Sequence, residues 1–111
     1  MIKNKEPLKF PVGLMVFTHG VADVMADNDD FAKFVTRSLR RHLKGDWGDV
    51  NTSDKLTNDE ALKNGLRMLS VYNGDRLNRG RDATIWIITE ADRSATTILF
   101  PDEYALSKEQ T

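Results

Sequence analysis

Cysteine is absent from this chain, and only three of its 111 residues are proline. Without cysteine there is no disulfide framework, no thiolate zinc site and no cysteine nucleophile, so stability has to come from packing, and a reducing cytoplasm suits such a chain. Long apolar runs are missing too. No stretch approaches the roughly 20 apolar residues of a membrane span, and the first ten residues, MIKNKEPLKF, lack the apolar segment of a signal peptide. The expectation is a soluble, intracellular, cytoplasmic protein. Neither charge sign is in excess: 16 Lys and Arg stand against 17 Asp and Glu, for a formal net charge of -1. That balance argues against a general nucleic-acid binder and equally against an acidic DNA mimic. Phosphate-binding glycine loops and nucleophile elbows are absent, and His19 has no evident nucleophile to form a triad.

What is present fits one ordinary domain. The length leaves little room for a second core, and 40% hydrophobic with 30% charged residues is a globular composition. We read residues 1–111 as a single domain, with a frayed N-terminal segment of about 1–9 and a polar C-terminal tail of about 105–111.

Pro11 introduces the apolar run VGLMVF at 12–17, which reads as a strand broken by His19 and Gly20. From Asp27 to Lys44 the pattern predicts one long helix, with acids in the first turn and Arg37, Arg40, Arg41 and Lys44 toward the end, as the helix dipole favours. Phe31, Phe34, Val35 and Leu39 form its apolar face, with Ser38 and His42 on the same side, so His42 should look inward. Gly45 stands where a left-handed residue closes a helix. Asn51 to Asp54 then read as a polar loop, Thr57 and Glu60 as a capping box, and about 58–64 as a short helix that Gly65 stops.

Three strands follow, at 67–72, 83–89 and 95–100, and they read as an antiparallel meander with a tight last hairpin at Glu90 to Ser94. The expected fold is therefore α+β: a small antiparallel sheet built from a strand, a long helix, a short helix and a three-stranded meander, with the long helix packed on one face. IWII is apolar throughout, which suits cover on both faces, with Trp86 pointing away from Ile85 and Ile87 and Trp47 helping to cover the second face.

GDWGD at 45–49, Asn58 with Ala61, LSVY at 69–72 and WIITEADRSATTILFPDEY at 86–104 together resemble a family of small bacterial proteins carried on plasmids and other mobile elements. The resemblance covers roughly residues 40–104, and WIITEADRS is its most specific block. Family members are sometimes labelled plasmid-related proteins or subunit M of a type I restriction enzyme, and the resemblance brings no established activity with it. A modification subunit needs a glycine-rich cofactor loop and an Asn-Pro-Pro-aromatic motif; this chain has neither, so that label is set aside.

The candidate polar residues are His42, Asp46, Asp49, Glu90, Asp92 and Arg93, which come together only if the helix end and the last hairpin lie side by side. One histidine with several carboxylates can ligate Mg²⁺ or Mn²⁺, as in phosphodiester hydrolases. The competing reading is structural: Asp46 and Asp49 bond loop amides, His42 bonds a carbonyl, and Arg93 pairs with a carboxylate. Trp47 either packs on the sheet or anchors a partner. Arg76, Arg79 and Arg81 belong to a loop that can bind phosphate or an acidic partner, or simply be solvated.

Three functions follow. The favoured one is a non-enzymatic protein-interaction module without a cofactor, binding another protein or forming a homodimer through GDWGD, Trp47 and the arginine loop. The alternatives are a Mg²⁺- or Mn²⁺-dependent hydrolase or nuclease and, weakest, a nucleic-acid-binding accessory protein using the loop arginines with Arg37, Arg40 and Arg41.

Overall fold

The computed structural model describes residues 7–75, 77 and 83–104. The expected frayed ends therefore lie largely outside the described residues, although Lys9 is tied down by its N–H, which donates to the Leu43 carbonyl at 2.8 Å. The fold is α+β. Its elements are β1 (Leu14–Phe17), α1 (His19–Asp27), α2 (Asp29–Leu43), α3 (Thr52–Asn64), β2 (Met68–Tyr72), β3 (Ile85–Thr89) and β4 (Ala95–Leu99), followed by a 3-10 turn at Pro101–Glu103.

The three C-terminal strands form the expected antiparallel meander, with Ser70 opposite Ile87 and Ile87 opposite Ile98. The sheet as a whole is not purely antiparallel: β1 lies parallel to β4, Leu14 beside Ala95, and the strand order is β1-β4-β3-β2. The intervening helices carry the chain back across the sheet so that β1 and β4 run the same way, which the pattern of a single strand does not encode.

The helix expected over 27–44 is α2, and a further helix, α1, precedes it. Thr18 caps α1 by accepting the Val21 N–H, and Val21, Val24 and Met25 give it an apolar stripe at the i, i+3, i+4 spacing. His19 and Gly20 do end the strand, but they also begin this helix. Asn28 separates the two: its extended backbone (φ -143°, ψ 104°) ends α1, and its side chain caps α2 by accepting the Phe31 N–H at 3.0 Å. Gly20 lies against the Glu103 carboxylate, which accepts from the Gly20 N–H and from the Thr18 hydroxyl and so pins the 3-10 turn to the start of α1.

The inward face of α2 is as the periodicity predicts, with Phe31, Val35, Ser38 and His42 buried against the sheet. Its end is a Schellman closure: the Asp46 N–H reaches the Arg41 carbonyl and the Gly45 N–H the His42 carbonyl, with Gly45 at φ 82°. The third helix begins well before residue 58. Asn51 is its N-cap, accepting from the Asp54 N–H at 2.8 Å, and the Thr57 hydroxyl donates to the Ser53 carbonyl inside the helix, so Asn51–Asp54 is no loop and Thr57 no cap. Gly65 closes it in the left-handed conformation, as expected.

Along the helix-covered face the strands contribute Met68, Ser70 and Tyr72, then Ile85, Ile87 and Thr89, then Thr96, Ile98 and Phe100, all buried. Trp86 points the other way and meets the Tyr104 ring edge-on at 5.5 Å. Trp47 is not on that second face; it packs with Phe10, Leu43, Ala61 and Met68 on the helix side.

Candidate functional site

GDWGD is where the chain leaves α2 and becomes an edge for the sheet. Arg41 holds Asp46 through an exposed ion pair at 2.7 Å, and the other Asp46 oxygen accepts the Gly48 N–H at 3.1 Å. The guanidinium hydrogen bond keeps the Asp46 carboxyl below its ordinary range. The chain then runs beside β2: the Val71 N–H donates to the Trp47 carbonyl, and the Asp49 N–H donates to the Val71 carbonyl. Asp49 also accepts the Asn73 N–H at 2.9 Å. Tyr72 donates its hydroxyl to the Asp46 carbonyl, and burial raises its pKa. Trp47 is 3% exposed, with its indole N–H donating to Asp59 at 2.8 Å, so it is a packing residue and not a surface anchor. One step further along β2, the Asn58 side chain takes both polar groups of Leu69, donating to its carbonyl and accepting its N–H.

His42 looks inward as expected, but it bonds two hydroxyls and no carbonyl. Nδ1 lies 2.6 Å from Ser70 Oγ and Nε2 lies 2.9 Å from Thr89 Oγ1. The proton order follows from the far end of the chain of bonds. Thr96 donates its hydroxyl to the Val12 carbonyl, so in the 2.8 Å contact between them Thr89 must donate to Thr96. Thr89 is then left to accept from His42 Nε2–H, and Nδ1 accepts from Ser70. A neutral imidazole satisfies every partner with one donor and one acceptor. Burial, helped by the positive charge of Arg93, lowers the His42 pKa to about 3. Ser70 and Thr89 are fully buried like the imidazole, so this array holds α2 to the sheet and has no open approach for a substrate.

The hairpin residues serve local ends. Glu90 pairs loosely with Arg67 at 3.8 Å, and Asp92 accepts the Ser94 N–H at 2.9 Å; the Ser94 hydroxyl and then this N–H lower the Asp92 pKa. Arg93, at φ 62°, bonds no carboxylate among the described residues; its guanidinium donates to the carbonyls of Ala61, Leu66, Glu90 and Ala91, clamping the hairpin to the end of α3. The six sequence candidates are thus brought to the same end of the fold only in part: His42 and Arg93 both pack against Phe10, whereas Asp46 and Asp92 bond amides of their own turns, Asp49 bonds the Asn73 N–H and Glu90 pairs with Arg67. Among the described residues no group of three or more His, Asp or Glu side chains is arranged to hold a metal ion. Arg76, Arg79 and Arg81 lie outside the described residues. A groove of about 540 Å³ is lined by Phe31, Lys33, Phe34, Arg37, Asn73 and Asp75 among others.

Sequence reading missed Ser70, Thr89, Thr96 and Asp59, and it singled out Asn58 without its role at the β2 edge. The signal for the first three was present: strand alternation puts each on the face that must meet α2, where a hydroxyl requires a polar partner.

The double substitution Asp46→Ala, Asp49→Ala tests what the loop acids do. It removes one exposed ion pair and two bonds to backbone amides, so a loss of about 1–3 kcal/mol is expected, a fall of several degrees in melting temperature. Mn²⁺ is expected to shift neither the wild-type curve nor the variant's. A metal-dependent rise confined to wild type would instead assign these carboxylates to an ion.

The chain matches no family model, no curated protein and no solved structure.

Proposed function

We propose that this is a small protein-interaction module of the mobile-element type its sequence resembles, acting by contact and not by catalysis. The observation that carries the reading is the β1 edge of the sheet. Leu14 is 69% exposed, Met15 39% and Phe17 37%, an apolar strand at the rim of the sheet. Proteins often blunt such an edge with charge, proline or a bulge; LMVF, though short, has none of these, which supports reading it as a contact surface. The polar candidates favour the same reading, because His42, Asp46, Asp49 and Asp92 are each committed to bonds within the fold. No described helix is long and apolar enough to cross a membrane.

A photo-crosslinking residue in place of Leu14, in the chain expressed in its own host, tests this. Leu56, 62% exposed on α3, is the control position. Discrete protein adducts from position 14 and not from position 56 are expected. Equal, diffuse background from both would remove the edge as an interaction surface.

A further inference from the structure

The two edges of the sheet are treated differently. At β2 the chain closes its own edge: Gly48 bridges Val71, and Asn58 occupies both polar groups of Leu69. At β1 nothing among the described residues does so. In the parallel ladder the Leu14 N–H donates to Ser94 and the Thr18 N–H to Ile98. The even-numbered residues therefore face β4, and the amide and carbonyl groups of Met15 and Phe17 point away from it.

We propose that β1 pairs with β1 of a second copy of this chain, antiparallel about a two-fold axis through Val16. This rests on the reading of β1 as the contact surface and names its partner. In that register Met15 lies opposite Phe17 of the second copy and Phe17 opposite its Met15, so each outward N–H meets an outward carbonyl, about four bonds in all. The row of groups is its own complement. LMVF carries no charged side chain, so the two-fold brings no like charges together. Because the β2 edge is already closed, pairing stops at two copies and does not propagate into a fibre. The size of the contact sets its strength. A strand of four residues offers a few hundred Å² against the roughly 800 Å² per partner of a standard interface. The dimer is therefore weak, with a dissociation constant in the micromolar range or above.

Sedimentation velocity of the full chain from about 5 µM to about 1 mM reads the association directly. A rise from monomer to dimer mass and no further is expected. Val16 faces its own copy across the two-fold, so Val16→Lys and Val16→Glu should each sediment as a monomer throughout, while an equal mixture of the two regains the dimer. Circular dichroism and melting establish that each variant is folded. If either fails to fold, Met15→Pro removes one outward N–H while leaving the β4 ladder intact, and it should weaken the dimer at least tenfold. Wild type that stays monomeric to the highest concentration overturns the proposal, as does a mixture that stays monomeric while wild type dimerises. Crosslinks from position 14 to a different protein, with wild type monomeric, would overturn self-pairing yet leave the interaction reading standing; loss of both would end the two together.

Discussion

On acidification from about pH 7.5 to about pH 4, the free energy of unfolding should fall by roughly 3 kcal/mol through His42 alone. The folded imidazole is held neutral with its pKa lowered from 6.5 to about 3, so the unfolded chain binds a proton that the folded chain refuses. The sign is fixed by that difference. Stability is complete above the unfolded value of 6.5, declines with a slope of about one proton as pH falls below it, and levels off only below the folded value. The carboxylates act in a different window. Asp46 is held low by Arg41 and Asp92 by Ser94, so the stability they contribute is lost only below the ordinary carboxylate range, near pH 4. A slope that opens near pH 6.5 therefore reports the imidazole. Urea midpoints measured across this range check it, with His42→Gln beside wild type. The variant should be less stable at neutral pH by about 1–3 kcal/mol, because one amide cannot satisfy both Ser70 and Thr89. Its profile should be flat between about pH 7 and about pH 5. A wild-type profile flat over that interval would mean that the imidazole gains a proton in place, and the assigned order of bonds would be wrong.

The same histidine shows how far the sequence could be read. Its inward direction follows from helical period, since Phe31, Val35, Ser38 and His42 fall on one stripe. Its partners do not, because Ser70 and Thr89 lie 28 and 47 residues away and only the tertiary fold brings them to the ring. Local signals read well where one residue type settles the backbone: Gly45 and Gly65 end their helices as left-handed residues, and the β3–β4 hairpin turns at Glu90–Ser94. They misled where two signals compete. Gly20 reads as a breaker, yet Thr18 caps a helix that contains it; Thr57 with Glu60 reads as a helix start, yet Asn51 had already supplied one. The weak amphipathic pattern of α3, with Leu56 exposed, hid its first half. The direction of β1 was illegible for a different reason, since parallel and antiparallel partners present the same alternation. Of the acids expected in a metal cluster, Asp46 and Asp92 followed the commoner rule that Asp in a turn bonds nearby amides, Asp49 bonds the more distant Asn73 amide, and Glu90 pairs with Arg67.

Gly48→Ala should be the most damaging small substitution in the GDWGD turn, and its comparison with Gly45→Ala separates two effects. Both glycines have positive φ, 82° at Gly45 and 78° at Gly48, so an added methyl strains either by about 1–2 kcal/mol. At Gly45 that is nearly all, because the nearest atom to the new carbon is Lys9 Cγ at 3.7 Å. At Gly48 the new carbon runs into the Val71 carbonyl oxygen, with the Tyr72 ring 2.7 Å away, and both belong to the strand that the turn closes. Overpacking against backbone adds about 1–3 kcal/mol, so Gly48→Ala should cost roughly 3 kcal/mol or more, beside 1–2 for Gly45→Ala. Denaturant midpoints decide it, and equal losses would mean that the 48–71 contact is loose. A folded Gly48→Ala chain carries a second consequence. If the alanine pushes residues 47–49 off β2, Val71 loses both of its edge bonds and the β2 rim opens there, although Asn58 still holds Leu69. A chain that wild type limits to pairing at one edge should then associate at two, so light scattering should show open-ended growth with concentration in Gly48→Ala and a plateau in wild type and Gly45→Ala.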